Sequence, residues 1–265
     1  MLAIDVGNTA ITAGIFEDGF LRGTVRVSTR ECIAKGSFLG LTEGIPREAA
    51  KDAVVVGVRA EALEIVRADL GATGADPLVV DVHTRMGIEN AYASVQTLGP
   101  DRLVAASAAF HLHGGKGAPL VVVDMGTATT IDYVSEQGVF MGGVIAPGMM
   151  SAYRGLLAEA PGLPRIEEFD DPPLIGRDTA GCLKAGVVTA HAAMIVKTAF
   201  LMGEETGKIP HVVVTGGLSV FVKKKVPSSF IFDEHLILRG LFLVHSLTKG
   251  QGCKVEGPRE PIHDR

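Results

Sequence analysis

One pattern near the N-terminus of the chain returns in its middle, and it constrains how the whole chain can fold. Residues 2–16 read LAIDVGNTAITAGIF, and residues 120–132 read LVVVDMGTATTID. In each copy an apolar, β-branched run is followed by Asp-x-Gly, a polar residue and a second β-rich run. The triplet begins at Asp5 in the first copy and at Asp124 in the second, a spacing of 119 residues. The repeat predicts two hairpins related by an internal duplication.

The repeated turn carries groups that suit a nucleotide. A carboxylate at a strand end can hold a cation or its waters, and a glycine lets the backbone approach an anion. The amides that follow, together with Asn8, Thr9 and Thr127, can donate hydrogen bonds to phosphate oxygens. Two ordinary hairpins with polar turns are the alternative interpretation. Because the same order recurs within one chain, we favour a nucleotide clamp.

Composition and charge narrow the class of protein. With 265 residues, 47% hydrophobic and 21% charged, the chain can form one large globular domain or two lobes. A net charge of −5 argues against a nucleic-acid groove as the main binding surface. The 3 cysteines are far apart and form no C-x-x-C pair, so neither a zinc site nor a disulfide framework is indicated.

The same features predict a cytoplasmic protein. Asp5 interrupts the N-terminal apolar run, so no signal peptide is indicated. The most apolar long segment, residues 182–202, contains Lys184, His191 and Lys197. We therefore expect a buried or interface helix there, and no membrane partner.

Strands and helices alternate along the chain, which predicts an α/β fold with mixed sheets. Beyond the two hairpins, we expect strands at residues 21–28, 53–58, 77–82 and 211–214. Helical spacing marks residues 61–70, 103–113, 149–159, 180–202 and 233–247, and part of residues 31–48. The glycine-rich residues 114–117 predict a hinge between a lobe of residues 1–115 and a lobe of residues 116–250. Residues 251–265 are predicted to be a flexible tail.

The pair Asp101-Arg102 is a candidate for acid–base chemistry and anion binding. A carboxylate close to a substrate hydroxyl can accept its proton, while a neighbouring guanidinium neutralises anionic oxygens. Asp101 also precedes the helix expected from Leu103 and could simply cap it. The spacing leaves both interpretations open.

Several common enzyme motifs are absent from the sequence. It contains no Walker A motif, no G-x-G-x-x-G after a strand and no G-x-S-x-G elbow. The triplet Thr215-Gly216-Gly217 follows an apolar strand and could form a backbone ledge for a flat ring.

Taken together, the motifs resemble those of one family. The two Asp-x-Gly hairpins and the late Thr-Gly-Gly are similar to the acetate and sugar kinase, Hsc70 and actin superfamily. Within it, the chain resembles the type III pantothenate kinases, and the likeness runs from residue 1 to about residue 247. The motifs that carry it are DVGNT at residues 5–9, GPDR at 99–102, DMGTATTID at 124–132, GGVIAPG at 142–148, IGRDT at 175–179 and TGG at 215–217.

The resemblance implies a two-lobed actin-like (ribonuclease H-like) fold with duplicated mixed-sheet subdomains. It implies ATP-dependent phosphorylation of pantothenate to 4'-phosphopantothenate, the first step of coenzyme A biosynthesis. It also implies Mg²⁺ with ATP, a monovalent cation (K⁺ or NH₄⁺), and a homodimer with the active site at its interface.

The family's roles carry over to named residues. Asp101 would be the general base. The residues implied to contact ATP are Asp5, Val6, Gly7, Asn8, Thr9, Ala10, Ile11, Thr12 and Thr127. Those implied to bind pantothenate are Tyr92, Gly99, Pro100, Asp101, Arg102 and, from the partner subunit, Thr179. Asp124 would hold the monovalent cation, and Asp5 would lie near the magnesium.

Two other functions fit the same motifs. One is a regulatory or accessory protein that binds ATP with little or no turnover, and the other is a kinase for a different small hydroxyl compound. The Asp101-Arg102 pair favours an enzyme, since a clamp without catalysis needs no base. Pro100 stands where the family has a small residue, and it restricts Gly99 before it.

Overall fold

The computed structural model describes residues 1–42, 45–114 and 117–250, which fall into two units. Unit 1 contains Met1–His113 and the chain from His235 onward, and unit 2 contains Gly114–Glu234. The chain passes from unit 1 to unit 2 after His113, and the hinge at residues 114–117 stays a prediction, since its Gly115 and Lys116 lie outside the described residues. The predicted tail, residues 251–265, also lies outside them.

The strands and helices have the following bounds. The strands are β1 (Leu2–Val6), β2 (Ala10–Glu17), β3 (Phe20–Ser28), β4 (Ala53–Gly57), β5 (Leu78–Val79), β6 (Glu89–Asn90), β7 (Leu120–Met125), β8 (Ala128–Val134), β9 (Val139–Pro147), β10 (His211–Thr215) and β11 (Ile231–Phe232). The helices are α1 (Thr29–Lys35), α2 (Arg47–Lys51), α3 (Ala60–Ala72), α4 (Pro100–His113), α5 (Met149–Glu159), α6 (Thr179–Ala185), α7 (His191–Thr206) and α8 (Leu236–Thr248).

The sheet of unit 1 has β1 at its centre, in the order β3-β2-β1-β4-β5. β1 pairs antiparallel with β2 and parallel with β4, so it is covered on both edges. Its Leu2, Ile4 and Val6 are fully buried, together with Val55 of β4. Central strands of this kind carry nearly continuous apolar runs, which explains the pattern in the sequence.

The strands of unit 2 repeat this arrangement as β9-β8-β7-β10-β11, with the same antiparallel and parallel pairs. Irregularities also recur at matching places. The register of the second strand shifts between Ile15 and Phe16 in β2, and between Tyr133 and Val134 in β8. The predicted internal duplication is therefore confirmed.

The two hairpin turns differ in length by one residue. Val6 pairs with Ile11, which leaves four residues in the first turn, whereas Met125 pairs with Thr129, which leaves three in the second. The spacing between equivalent positions is therefore 119 residues in the first strand, 118 at the start of the second, and 119 again at the end of the third. The spacing of 119 residues predicted from the sequence therefore holds as far as the glycine of each turn.

The helical part of residues 31–48 is broken by its glycines. α1 ends at Gly36, which adopts φ 65° and donates its N–H to the carbonyls of Cys32 and Ile33. Only a short turn at Leu39–Leu41 and the five-residue α2 follow. Glycine is the residue that most readily adopts this left-handed conformation, so it ends the helix early.

The strand predicted at residues 77–82 is shortened to β5 for a local reason. The carboxylate of Asp81 accepts a hydrogen bond from the backbone N–H of His83 at 2.9 Å and one from the hydroxyl of Thr84 at 2.9 Å. Aspartate side chains commonly form such turns with the residues that follow them. The chain therefore leaves the sheet before residue 81.

The long apolar segment of unit 2 is helical throughout but not uniformly α-helical. A π-helical segment, Gly186–Ala190, lies between α6 and α7. Of the described residues, only Thr179–Thr206 form a helix long and apolar enough to cross a membrane, and 33% of its most apolar window is buried within the fold. Length and composition of this kind are also found in core helices.

Helix α8 belongs to unit 1, whereas the sequence-based division gave it to the lobe of residues 116–250. Its Leu241 and Val244 are fully buried, and its Gly240 lies directly against α4. Polar contacts at the end of α8 add to this packing. His245 Nε2 and Lys249 Nζ lie 3.0 and 2.6 Å from the same carboxylate oxygen of Asp52.

Gly240 provides a test of the packing between α4 and α8. A Cβ added at Gly240 would lie 2.7 Å from the carbonyl oxygen of Val104 and 3.1 Å from the Cβ of Ala108. We expect Gly240→Ala to lower the free energy of unfolding by about 1–3 kcal/mol, because backbone must shift to admit the methyl group. Urea denaturation measures the change.

Gly71→Ala in α3 is the matched control for this substitution. A Cβ at Gly71 meets nothing within 4 Å, so the same change is expected to raise stability by up to about 1 kcal/mol through helix propensity. A Gly240→Ala variant as stable as the wild type would contradict the close contact of α8 with α4.

Candidate functional site

The first Asp-x-Gly turn joins β1 to β2 in unit 1. Asp5 is partly buried near the end of β1 and pairs with Thr12 across the hairpin. Gly7 donates its N–H to the carbonyl of Ala10 at 3.0 Å, and a Cβ at Gly7 would lie 2.9 Å from that same oxygen. Any other residue would open the turn, which gives this glycine a steric role.

Thr29, at the start of α1, fixes the shape of this turn. Its backbone N–H donates to the carbonyl of Thr9 at 3.1 Å, and its hydroxyl donates to the carbonyl of Gly7 at 2.8 Å. Thr29 is 1% exposed, whereas Asn8 and Thr9 are exposed. The carbonyls are thus tied to the protein while two polar side chains face solvent, as a phosphate-binding loop requires.

The second predicted group of unit 1 lies at the start of α4. The helix begins at Pro100, and proline is favoured at the first helical position because its fixed φ suits the helix. Asp101 therefore lies within the first turn, not before it, and its carboxylate accepts a hydrogen bond from the N–H of Arg102 at 2.9 Å. Asp101 therefore does not precede the helix as a capping residue. Instead, its negative charge lies where it interacts favourably with the helix dipole.

Arg102 and Tyr92 contact each other. The guanidinium carbon of Arg102 lies 5.5 Å from the centroid of the Tyr92 ring, and Arg102 is only 9% exposed. A cation over an aromatic face is attracted by the ring, and planar stacking orients the guanidinium. The structure thus brings together two residues that the sequence assigned to the same substrate.

The Asp101 group lies at the same end of the sheet as the first turn. Val58, directly after β4, donates its N–H to the carbonyl of Val6 at 3.1 Å. The Cβ position of Gly99 is 3.6 Å from a methyl carbon of Val58 and also contacts the carboxylate of Asp101. Val58 therefore lies beside Gly99, two residues before the base candidate, and beside Val6, directly before the turn.

The second Asp-x-Gly turn, in unit 2, is held in a similar way. Gly126 donates its N–H to the carbonyl of Ala128 at 3.0 Å. The carbonyl of Thr127 accepts two hydrogen bonds, from the N–H of Gly148 at 3.2 Å and from the hydroxyl of Ser151 at 2.7 Å. Thr127 itself is exposed, so its side chain is accessible to a ligand.

Gly216, of the Thr-Gly-Gly triplet, lies against Asp124. Its φ is 91°, and a Cβ there would contact the Asp124 carboxylate and lie 2.6 Å from the carbonyl of Met125. Only glycine fits this conformation and this space. The triplet therefore accompanies the second turn, although whether it supports a ring stays a prediction.

Thr179 is the exposed first residue of α6, after Asp178, whose carboxylate caps the helix by accepting from Gly181 N–H at 2.7 Å. Thr179 lies on the rim of a mostly apolar cavity of about 630 Å³ within unit 2. Lining residues include Met149, Tyr153, Leu183, Val187 and His191.

The sequence of the chain matches known proteins over most of its length. The family model of the type III pantothenate kinases matches residues 1–199. A type III pantothenate kinase of Agathobacter rectalis is 33% identical over 262 residues, which is 96% of this chain and 100% of the relative. The chain belongs to the type III pantothenate kinase family. As a member of this family, the chain is a pantothenate kinase. It phosphorylates pantothenate with ATP, which is a step of coenzyme A biosynthesis.

Solved structures show the fold that the family shares with other kinases. A Campylobacter jejuni protein, proposed to be a Baf family transcriptional activator, superposes with a TM-score of 0.61 at 20% identity and covers 94% of this chain and 100% of its own. A Porphyromonas gingivalis protein, proposed to be an N-acetylglucosamine kinase, gives 0.50 at 11% identity, with 93% and 99% covered. The predicted actin-like α/β fold is thereby confirmed.

A pantothenate kinase of this family uses ATP with a divalent metal, and the carboxylates present suit such a role. Among the residues that the structure describes, no group of three or more His, Cys, Asp or Glu would enclose an ion. Asp5 and Asp124 each place one partly exposed carboxylate beside a turn. Magnesium bound by one carboxylate takes its remaining ligands from phosphate and water, so a carboxylate such as that of Asp5 fits a nucleotide-bound metal.

Sequence reasoning missed the residues that hold the two turns. Thr29 holds the first turn through its hydrogen bonds to the carbonyls of that turn. Gly148 and Ser151 hold the second turn in the same way. Residue 29 lies 20 positions beyond Thr9, and no local pattern connects them. The duplication offered one signal, since Thr29 and Gly148 are also 119 residues apart.

The hydroxyl of Thr29 provides a test of whether the first turn contacts ATP. We expect Thr29→Val to weaken ATP binding by roughly 3- to 10-fold, the cost of one hydrogen bond that no longer holds the Gly7 carbonyl. Isothermal titration calorimetry measures the dissociation constant, and thermal melting shows whether the fold is intact.

Thr73→Val is the matched control for Thr29→Val. Thr73 also donates its hydroxyl to a backbone carbonyl, that of Leu70 at 2.7 Å, but at the end of α3. The Thr73→Val variant should lose about as much stability as Thr29→Val and keep wild-type affinity for ATP. Equal affinities in both variants would remove the proposed role of Thr29.

Proposed function

We propose that Asp101 is the general base of the pantothenate kinase reaction and that the Gly7–Ala10 turn binds the ATP phosphates. One observation supports this assignment above the others. Val58, directly after β4, donates its N–H to Val6 at the start of the first turn and lies beside Gly99, two residues before Asp101. A base and a phosphate-binding loop on one rigid framework satisfy the positioning that phosphoryl transfer needs.

The chemistry follows from the groups present. The carboxylate of Asp101 accepts the proton of the pantothenate hydroxyl as its oxygen attacks the γ-phosphorus, and the bond to the β-phosphate oxygen breaks to release ADP. Arg102 binds an anionic part of the substrate, and Tyr92 orients the guanidinium by stacking. Gly99 and Pro100 shape the turn that presents Asp101.

Contacts with the nucleotide are assigned in each unit separately. In unit 1 we assign Asp5, Val6, Gly7, Asn8, Thr9, Ala10, Ile11 and Thr12 to ATP contacts. In unit 2 we assign Thr127 to ATP and Asp124 to a monovalent cation, K⁺ or NH₄⁺. Asp5 would hold Mg²⁺ or its waters. When bound, these cations neutralise phosphate charge that no lysine of either turn can neutralise.

Replacing Asp101 tests the base assignment. We expect Asp101→Asn to lower pantothenate-dependent turnover by roughly 100-fold or more, since the amide cannot accept the proton. ATP affinity should stay within about 2-fold, because the charge is proposed to act on the other substrate. ADP release with ATP, Mg²⁺ and K⁺, with and without pantothenate, measures turnover.

Glu61→Gln is the control for charge at a helix start. Glu61 is the acidic residue in the first turn of α3, as Asp101 is in α4. The control should keep full turnover, so that a loss at Asp101 reflects chemistry and not the helix dipole. Wild-type rates in Asp101→Asn would reject the base. Nucleotide binding without turnover on any hydroxyl compound would favour an ATP-binding regulator instead.

We also propose a cytoplasmic homodimer in which Thr179 acts in the site of the partner subunit. The exposed position of Thr179 at the rim of an apolar cavity supports this, because apolar surface at a subunit interface is buried by assembly. Exposed Leu156, 45% accessible, lies on the same cavity. A net charge of −5 fits small-molecule substrates and no nucleic acid.

Mixing two inactive variants tests the shared site. If Asp101 of one subunit works with Thr179 of the other, a mixed dimer of Asp101→Asn and Thr179→Ala contains one intact site. We therefore expect activity to reappear on subunit exchange, at up to about half the wild-type rate per mixed dimer. Native mass spectrometry shows whether the subunits have exchanged. If they have and activity does not recover, Thr179 acts in the site of its own subunit.

A further inference from the structure

We infer that His191 is a positioning residue for the second Asp-x-Gly turn, which it holds through a hydrogen bond to Thr129. The inference rests on the proposed contact of Thr127 with the nucleotide. The geometry that supports the inference does not depend on that proposal. It is a hydrogen bond between two side chains that lie 62 residues apart in the sequence.

The bond joins two buried groups. The Nε2 atom of His191 lies 2.8 Å from the hydroxyl oxygen of Thr129. Thr129 is 0% exposed and His191 is 8% exposed. Burial lowers the pKa of His191 below its ordinary value, so the ring is neutral at physiological pH. Either neutral tautomer can make this bond, because a hydroxyl both donates and accepts.

Thr129 adjoins the turn. It pairs with Met125 across the hairpin, and the three residues between them form the turn. The carbonyl of Thr127 is held from one side by Gly148 and Ser151. The bond to His191 holds the first residue of the strand that leaves the turn, so the middle of the short loop and the residue that follows it are both held.

The helix around His191 is irregular. The π-helical segment Gly186–Ala190 comes immediately before it. A π-helical turn adds one residue, which rotates every later side chain by about 100° relative to a continuous α-helix. Such segments are rare and often occur near functional positions. His191 is the first residue of α7 after this segment, and its imidazole reaches Thr129.

The imidazole is buried but borders a cavity. His191 is one of the residues that line the cavity of about 630 Å³, so its surroundings are not completely filled by other side chains. The hydrogen bond to Thr129 is therefore the described contact that sets its orientation. Loss of this bond would loosen β8 beside the turn and leave a buried hydroxyl without its partner.

The experiment compares His191→Leu and Thr129→Val, which each remove the bond, with His191→Gln, whose amide can restore it. Hydrogen exchange of the turn amides in the protein alone measures positioning, and ATP titration measures its effect on binding. We expect faster exchange at residues 126–129 and ATP binding weakened roughly 5- to 20-fold in the first two variants. The kcat at saturating ATP should change less than about 3-fold, and His191→Gln should recover most of the affinity.

Tyr133→Phe is the control for a merely structural role. The Tyr133 hydroxyl donates to the Thr206 hydroxyl at 3.1 Å, so it connects the same β8 and α7 four residues farther along the strand. This control should melt earlier but keep wild-type exchange in the turn and wild-type affinity for ATP.

The double variant His191→Leu/Thr129→Val should be no worse than either single one, because both remove the same bond. Unchanged exchange at residues 126–129 in both single variants, or equal effects in Tyr133→Phe, would overturn the inference. A wild-type protein without pantothenate turnover would instead reject the proposed function, and the exchange data would still decide the role of His191.

Discussion

A hydrogen bond to a turn carbonyl recurs in both halves of the molecule, and the rest of each site depends on it. Thr29 donates its N–H to Thr9 in unit 1, and Gly148 donates its N–H to Thr127 in unit 2. Both donors directly follow the third strand of their sheet. Each bond joins the end of a three-stranded meander to its first turn, so the turn cannot move without disturbing the sheet. A loop that is rigid before the ligand arrives loses little entropy on binding.

The two copies have diverged around this shared contact. Unit 1 keeps a four-residue turn with exposed Asn8 and Thr9, and the hydroxyl of Thr29 adds a second bond to it. Unit 2 keeps a three-residue turn, and Gly216 lies against its aspartate. The longer turn has one more residue whose amide could donate to a phosphate. Beside the shorter turn, the carboxylate of Asp124 lies against the backbone of Gly216. The two units thus share a scaffold, and their turns, to which we assign different roles, differ by one residue in length.

Local patterns predicted the parts of this protein that are set by local physics. The hairpins, β4, α3 and the long helix of unit 2 follow from apolar periodicity, and the family follows from motifs in their order. The contacts of Thr29 with Gly7 and of His191 with Thr129 join residues 22 and 62 positions apart, so no spacing rule could find them. The place of α8 in unit 1 was missed for the same reason, since its partner α4 is more than 120 residues earlier in the chain.

The return of α8 to unit 1 has a consequence for biosynthesis. Unit 2 is one continuous stretch of chain, whereas unit 1 is assembled from two segments separated by all of unit 2. A ribosome therefore releases every residue of unit 2 before it delivers the helix that covers α4 and β1. Until then the apolar faces that α8 buries, including Val104 and Ala108, stay uncovered. Unit 1 is therefore begun first and completed last, and its incomplete form exposes apolar surface of the kind that makes nascent chains prone to aggregate.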